Sequence, residues 1–320
     1  DGSVDPTFSD SGLVALSSAG ADAGARSIGL QCAVGLGDAG ALVAGQFADG
    51  TPVQVVAIAY DGKFESTFGT QSATTLGNDS KGCGALRIDD IGRIYVAARA
   101  PALHRLLPSG QLDPSFGDGR EARLDAGAVS VSVDDLLVER DAGIFFAATD
   151  YVGATNGAFF GVAALDGTWT VRGPWLGTLP DVYCRRARLF RMSTSTFLLI
   201  ASCGPKLLPG HVLAVRLRAD GTPLDANAGT ISDDEPGAAA LSAPGFVVAG
   251  SRDPTGTSVL RVVRYDETGT PDPGFVVAAH PSFTGVRINE GVVDSRRRFV
   301  IVGQRGVGTA VRMFAARFWL

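Results

Sequence analysis

Lysine occurs three times in 320 residues (Lys63, Lys81, Lys206), histidine three times and methionine twice. Arginine therefore supplies nearly all positive charge, and the balance is −5. Without a basic cluster, nucleic acid is not an expected partner. No apolar run approaches the roughly 18 residues of a membrane-spanning helix. Helical periodicity is missing as well. The histidines (His104, His211, His280) fall at non-equivalent places, and His-x-Glu-x-x-His, Cys-x-x-Cys and Gly-x-Ser-x-Gly are all absent, which removes the usual zinc, redox and serine-nucleophile readings. Gly303-Gln304-Arg305-Gly306-Val307-Gly308 lies between strands rather than before a helix, so it is not a phosphate loop.

What the chain does contain is a repeat. Leu107-Pro108-Ser109-Gly110-Gln111-Leu112-Asp113-Pro114-Ser115-Phe116-Gly117 shares its frame with Asp1–Phe8, Asp61–Gly69 and Thr268–Phe275, and weaker copies start at Asp166-Gly167 and Asp220-Gly221. The copies begin 48 to 60 residues apart. Short β-branched and aromatic runs, punctuated by Gly, Asp and Pro, are hairpin signals. Around the second copy they predict strands at 83–88, 93–98, 103–107 and 120–124. A second-strand ladder recurs six times: Leu42–Gly45, Tyr95–Ala98, Phe145–Ala148, Leu199–Ser202, Val247–Gly250 and Val300–Gly303. Each ends in a small residue, as close backbone approach requires.

Units near fifty residues with four strands each are the mark of a propeller. The spacing predicts an all-β, six-bladed β-propeller of four-stranded antiparallel blades, a single domain over residues 1–320. The interval from Thr268 to the last residue is about one period, so the N-terminal strand Gly12–Leu16 is expected to complete the last blade. Its other strands are predicted near 286–289, 299–303 and 310–318. Such closure hides the edges of the first and last blades.

The Asp-Gly-x-x-Asp-x-x-Phe-Gly pattern, between a strand ending in Arg-x-x and a short outer strand, resembles the delta-60 repeat family of bacterial β-propellers. The first hairpin of each unit is similar to NHL-type blades. The resemblance implies this fold, an innermost first strand, an outermost fourth, and an exported bacterial protein; it brings no catalytic residues. It weakens at Asp166–Gly177, where Trp169 and Trp175 replace the motif, and at Asp220–Gly229.

The aspartate loop reads as structural: Gly takes a positive-φ corner, Asp accepts local backbone hydrogen bonds, Pro fixes φ, and Phe packs between blades. The opposite face collects the loops after each second strand, which suits a site on a rigid scaffold. Its candidate binding residues are Gln46, Lys81, Arg99, Asp150, Tyr151, Arg252, Gln304 and Arg305, with Tyr151, Tyr183 and Phe283 as aromatic anchors. Asp233-Asp234-Glu235 is the one dense acidic run and the weak candidate for a metal; no cofactor is predicted, with calcium the ion it would suit.

Cys184 and Cys203 fall roughly opposite each other across one hairpin, where a disulfide fits. Cys32 and Cys83 lie on the first strands of adjacent units, so they form either a second bridge or buried thiols. The expected function is a periplasmic or extracellular protein- or glycan-binding or scaffold module, its signal peptide removed, monomeric in isolation. The alternative is a calcium-dependent, lactonase- or esterase-like hydrolase with an axial site, drawing on Asn289, Asp150 and the 233–235 run.

Overall fold

The computed structural model describes residues 29–36, 40–46, 52–70, 72–77, 82–98, 102–119, 121–123, 131–139, 143–150, 157–176, 182–205, 211–224, 229–232, 235–252, 259–277, 286–293, 296–305 and 312–320. Regular structure among them is entirely strand. The first sheet is β1 (Gly29–Gly35), β2 (Gly40–Gln46), β3 (Gln54–Ala59) and β4 (Ala73–Thr75). The second is β5 (Cys83–Ile88), β6 (Ile94–Ala98), β7 (Ala102–Leu106) and β8 (Ala122–Arg123). The third is β9 (Val131–Glu139), β10 (Gly143–Asp150), β11 (Ala158–Ala163) and β12 (Trp169–Leu176). Next come β13 (Val182–Arg191), β14 (Thr196–Pro205), β15 (His211–Arg218) and β16 (Gly229–Ser232), then β17 (Glu235–Ser242), β18 (Gly245–Arg252), β19 (Val259–Tyr265) and β20 (Pro271–Val277). β21 (Val286–Val293), β22 (Arg298–Arg305) and β23 (Arg312–Trp319) form a three-stranded sheet among the described residues. Strands succeed one another as antiparallel meanders.

The chain divides into two compact units, residues 1–148 with 161–171, and 149–160 with 172–320. Within the first, the alternating inward residues of β2 and β3 (Leu42, Ala44, Val55, Ala57) meet Leu86, Ile94, Val96 and Leu106 of the next sheet in one core. Within the second, Val247, Ala249, Leu260 and Val262 meet Ile288, Phe299 and Ile301 in the same way. These runs are apolar at successive positions because sheet packs on sheet, so each strand must bury both faces.

First strands of consecutive sheets lie side by side in each unit: β1 with β5, β5 with β9, β13 with β17, and β17 with β21. The contact explains a recurring irregularity. β1, β5, β13, β17 and β21 each carry a bulge against their hairpin partner, the feature that bends a strand and locally breaks its pairing. Gly84 sits at the β5 bulge, where a Cβ would fall 1.8 Å from the Val133 carbonyl oxygen of β9. Only glycine permits that approach.

Both disulfides form. Cys184 and Cys203 are register partners in the β13–β14 hairpin, and Cys32–Cys83 ties β1 to β5 across 51 residues of chain. Closing loops of this size restricts the unfolded chain by about 3 and about 4 kcal/mol respectively.

Candidate functional site

The repeated loop has one construction in five copies. Ala59, Leu107, Ala164, Arg218 and Asp266 each accept the N–H of a glycine three residues on (Gly62, Gly110, Gly167, Gly221, Gly269) and donate to the carbonyl four residues on. All five glycines have φ between 80° and 95°, which non-glycine residues reach only at a steric cost. The aspartates of the turn make local hydrogen bonds. Asp61, Asp166 and Asp220 accept the N–H two residues ahead from Lys63, Thr168 and Thr222. Backbone N–H bonds accordingly hold Asp61 and Asp166 below the ordinary carboxylate range.

In the first unit these loops also lock to one another. The N–H of Gly69, directly after Phe68, donates to the Ser109 carbonyl of the next copy at 2.7 Å. The N–H of Gly117, directly after Phe116, donates to the Asp166 carbonyl of the copy after that at 2.9 Å. A Cβ on Gly110 would strike Phe68, and one on Gly167 would meet Ala122 and Gly117. The Phe-Gly end of one copy is thus the seat for the turn of the next.

Beneath the loop lies a charged pair. Arg105 Nε donates to Asp113 Oδ2 at 2.8 Å, Arg105 Nη2 to Ser115 Oγ at 2.8 Å, and Arg105 Nη1 to the Leu165 carbonyl. The guanidinium stands 4.7 Å from the centre of the Phe116 ring. Burial pushes Asp113 up, but hydrogen bonds from Ser115 and Arg105 outweigh it, and the carboxyl is held below its usual range. In the second unit Arg264 and Asp272 repeat the pair at 2.9 Å, with Phe275 5.1 Å from the guanidinium. Arg264 holds Asp272 low as well.

An open cavity of about 320 Å³ lies beside the Gly117–Asp166 contact, lined among others by Asp118, Glu121, Arg123, Asp166 and Thr168. Its polar groups serve the loops. Asp118 accepts the Glu121 N–H, Glu121 pairs with Arg123, and Glu121 Oε2 stands 3.5 Å from Nε2 of the buried His104.

The other set of candidate residues sits at the far end of the strands. In the first unit Gln46 closes β2, pairing with Gly29 at the end away from the β1–β2 turn. In the second unit Asp150 closes β10, Arg252 closes β18 opposite Val259, and Gln304 and Arg305 close β22 opposite Arg287 and Val286. Within each sheet, then, these residues occupy the end opposite the repeated turns. Glu235 opens β17, paired with Ser251. Lys81, Arg99, Tyr151, Phe283, Asp233 and Asp234 lie outside the described residues. Among the described residues no group of three or more His, Cys, Asp or Glu is placed to hold a metal ion.

Charged pairs on the first strands were not anticipated from the sequence. Arg87 of β5 pairs with Asp135 of β9 and donates to the Leu136 carbonyl at 3.0 Å. In the second unit Arg186 Nη1 donates to the Ile288 carbonyl of β21 at 3.0 Å, and Arg188 pairs with Glu290 at 2.6 Å. Arg186 has φ 53° at the β13 bulge. Arg186, Arg188 and Glu290 lie at the bulges of their strands, which a strand pattern alone does not reveal.

A family described as "Domain of unknown function (DUF5122) beta-propeller" matches residues 247–275, a stretch running from β18 through the turn to Phe275. No curated protein matches the sequence. Among solved structures, a protein of unknown function from Dyadobacter fermentans is similar over 96% of this chain and 97% of its own, at 10% identity and a TM-score of 0.58. An ulvan lyase of polysaccharide lyase family PL25 is similar over 87% of this chain and 76% of its own, at 9% identity and a TM-score of 0.53. At such identities the likeness speaks for the fold alone. The meandering sheets, the family match and these likenesses give the chain a β-propeller fold.

Proposed function

We propose that the chain is an exported bacterial six-bladed β-propeller of the delta-60, NHL-like kind that binds a protein or glycan partner through its loop face. The observation that carries this reading is the division of labour within each sheet. The repeated aspartate loops are engaged in turns and, in the first unit, in contacts between copies. Gln46, Asp150, Arg252, Gln304 and Arg305 end their strands at the opposite side. Loops on a rigid frame are where recognition residues accumulate.

The six sheets among the described residues support a count of six blades, and closure by Gly12–Leu16 on β23 completes the proposal. Two disulfides support an oxidising compartment, since they persist outside the cytosol. Calcium remains proposed only for the acidic run 233–235.

Tyr151→Ala and Arg252→Ala, tested against an immobilised panel of polysaccharides and envelope proteins, check the reading. Capture should weaken at least about tenfold, a loss of about 1.4 kcal/mol, with an unchanged melting curve. Equal capture by variants and parent on every partner would overturn it.

A further inference from the structure

We propose that Arg186 and Arg188 on β13 form a binding site for the carboxylate of a small acid, either a sugar acid or a simple organic acid, and that the Glu290 carboxylate of β21 is its internal occupant. The site is separate from the strand-end residues of the loop face. Along β13 and β21 it lies between those ends and the turns.

The placement comes from the bulges. β13 shifts register between Arg185 and Arg188, and β21 between Ile288 and Glu290. From there both arginines reach β21, although β17 lies beside both strands. Arg186 Nη1 donates to the Ile288 carbonyl at 3.0 Å, and Arg188 Nη2 to Glu290 Oε2 at 2.6 Å. At these levels β17 carries only Gly237, Ala238, Ala239 and Ala240, so none of these residues has a long side chain to separate the guanidiniums from β21. A Cβ on Gly237 would lie 2.4 Å from the same Ile288 carbonyl oxygen.

Glu290 is seated as an exchangeable carboxylate. Its Oε1 accepts the Gly291 N–H at 3.1 Å and its Oε2 takes Arg188. The Glu290 side chain is 54% exposed and that of Arg188 22%. Ion pairs this open hold little more strongly than water does, so a ligand carboxylate can replace Glu290 at small cost. The first unit offers the contrast. Arg87 also pairs between first strands, but its partner Asp135 is 4% exposed and accepts the Leu136 N–H as well. Breaking that pair would strand a buried charge. The Arg87–Asp135 pair is built to stay closed, the Arg188–Glu290 pair to open.

Charge selects the ligand. β13, β17 and β21 together carry five arginines and two glutamates, in a chain whose balance is −5. A local positive surplus draws anions, and the planar guanidinium fork matches a carboxylate.

Titration calorimetry of the full chain with galacturonate, glutarate and glucose at millimolar concentration tests the site. At least one acid should bind, glucose should not, and binding should weaken as sodium chloride rises from about 0.05 to about 0.5 M. Tighter binding of galacturonate assigns a sugar acid, and tighter binding of glutarate a simple organic acid. The two halves of the ion pair should respond with opposite signs. Arg188→Gln should lose at least about tenfold in affinity, whereas Glu290→Gln, with the internal occupant gone, should gain about threefold. Both should melt within about 2 °C of the parent, because so exposed a pair contributes little to stability. Should Arg188→Gln melt lower, Arg188→Lys takes its place; it keeps the charge without the fork and should bind about threefold more weakly than the parent. Weaker binding by Glu290→Gln than by the parent would make the pair a structural tie and overturn the site. So would parental affinity in Arg188→Gln, glucose binding equal to that of the acids, or no acid binding by either the parent or Glu290→Gln.

Discussion

Asp113 shows how one residue of the repeat is used. It accepts the Ser115 N–H and hydroxyl on one oxygen and Arg105 on the other, with its side chain almost wholly buried. The depressed carboxyl contributes stability that is present above the unfolded pKa of about 3.9 and is lost as pH falls through the lower folded value. Asp113→Asn should therefore cost about 3 kcal/mol at neutral pH, because it leaves Arg105 buried beside a neutral partner. It should also flatten the fall in stability below about pH 4. Denaturant melts of parent and variant between pH 2.5 and 7 check both, and parallel curves would show that Asp113 carries no such linkage. The aspartates of the motif were visible in the sequence; the arginine eight residues upstream as their partner was not, because that pairing depends on the hairpin bringing Arg105 and Asp113 together.

At the level of elements, much of the second sheet was legible. Strands predicted at 83–88, 93–98, 103–107 and 120–124 appear at Cys83–Ile88, Ile94–Ala98, Ala102–Leu106 and Ala122–Arg123, since Asp-Asp-Ile-Gly and Pro-Ser-Gly are strong turn punctuation. The Cys184–Cys203 bridge came from the same counting. The third sheet was harder to read. Asp166-Gly167 keeps the common turn, yet it leads into the eight-residue strand β12 in place of an Asp-Pro-x-Phe-Gly loop. Trp169 there packs edge-on against Phe146, 4.6 Å between centroids, and Phe146 lies over Gly161. A tryptophan on the strand does the filling that Phe116 does elsewhere. The bulges on first strands were not legible either, because they arise from packing between sheets. Gly117→Ala tests the lock between copies. With φ 62° and a prospective Cβ 2.0 Å from the Glu121 carbonyl, it should destabilise by at least about 1–3 kcal/mol, read by thermal melting. A melting temperature indistinguishable from the parent's, where about 1–3 kcal/mol would lower it by roughly 1.5–4.5 °C in a chain of this size, would mean the loop rearranges freely.

For the whole molecule, a repeat of fixed residue types builds the frame, while residues without a common pattern end the strands at the opposite side. This is why fold was more legible than function. The frame demands Gly, Asp, Pro and Phe at set intervals, but a binding face needs only position, and position alone names no ligand. The most direct measurement is to compare Gly117→Ala, at the repeated loop, with Arg252→Ala, at the strand end, recording melting temperature and partner capture for each. The account predicts that Gly117→Ala lowers the melting temperature but, below that temperature, captures as the parent does, whereas Arg252→Ala melts as the parent does and captures at least about tenfold less. Loss of capture in Gly117→Ala at an unchanged melting temperature, with Arg252→Ala unaffected, would place recognition on the aspartate loops and contradict it.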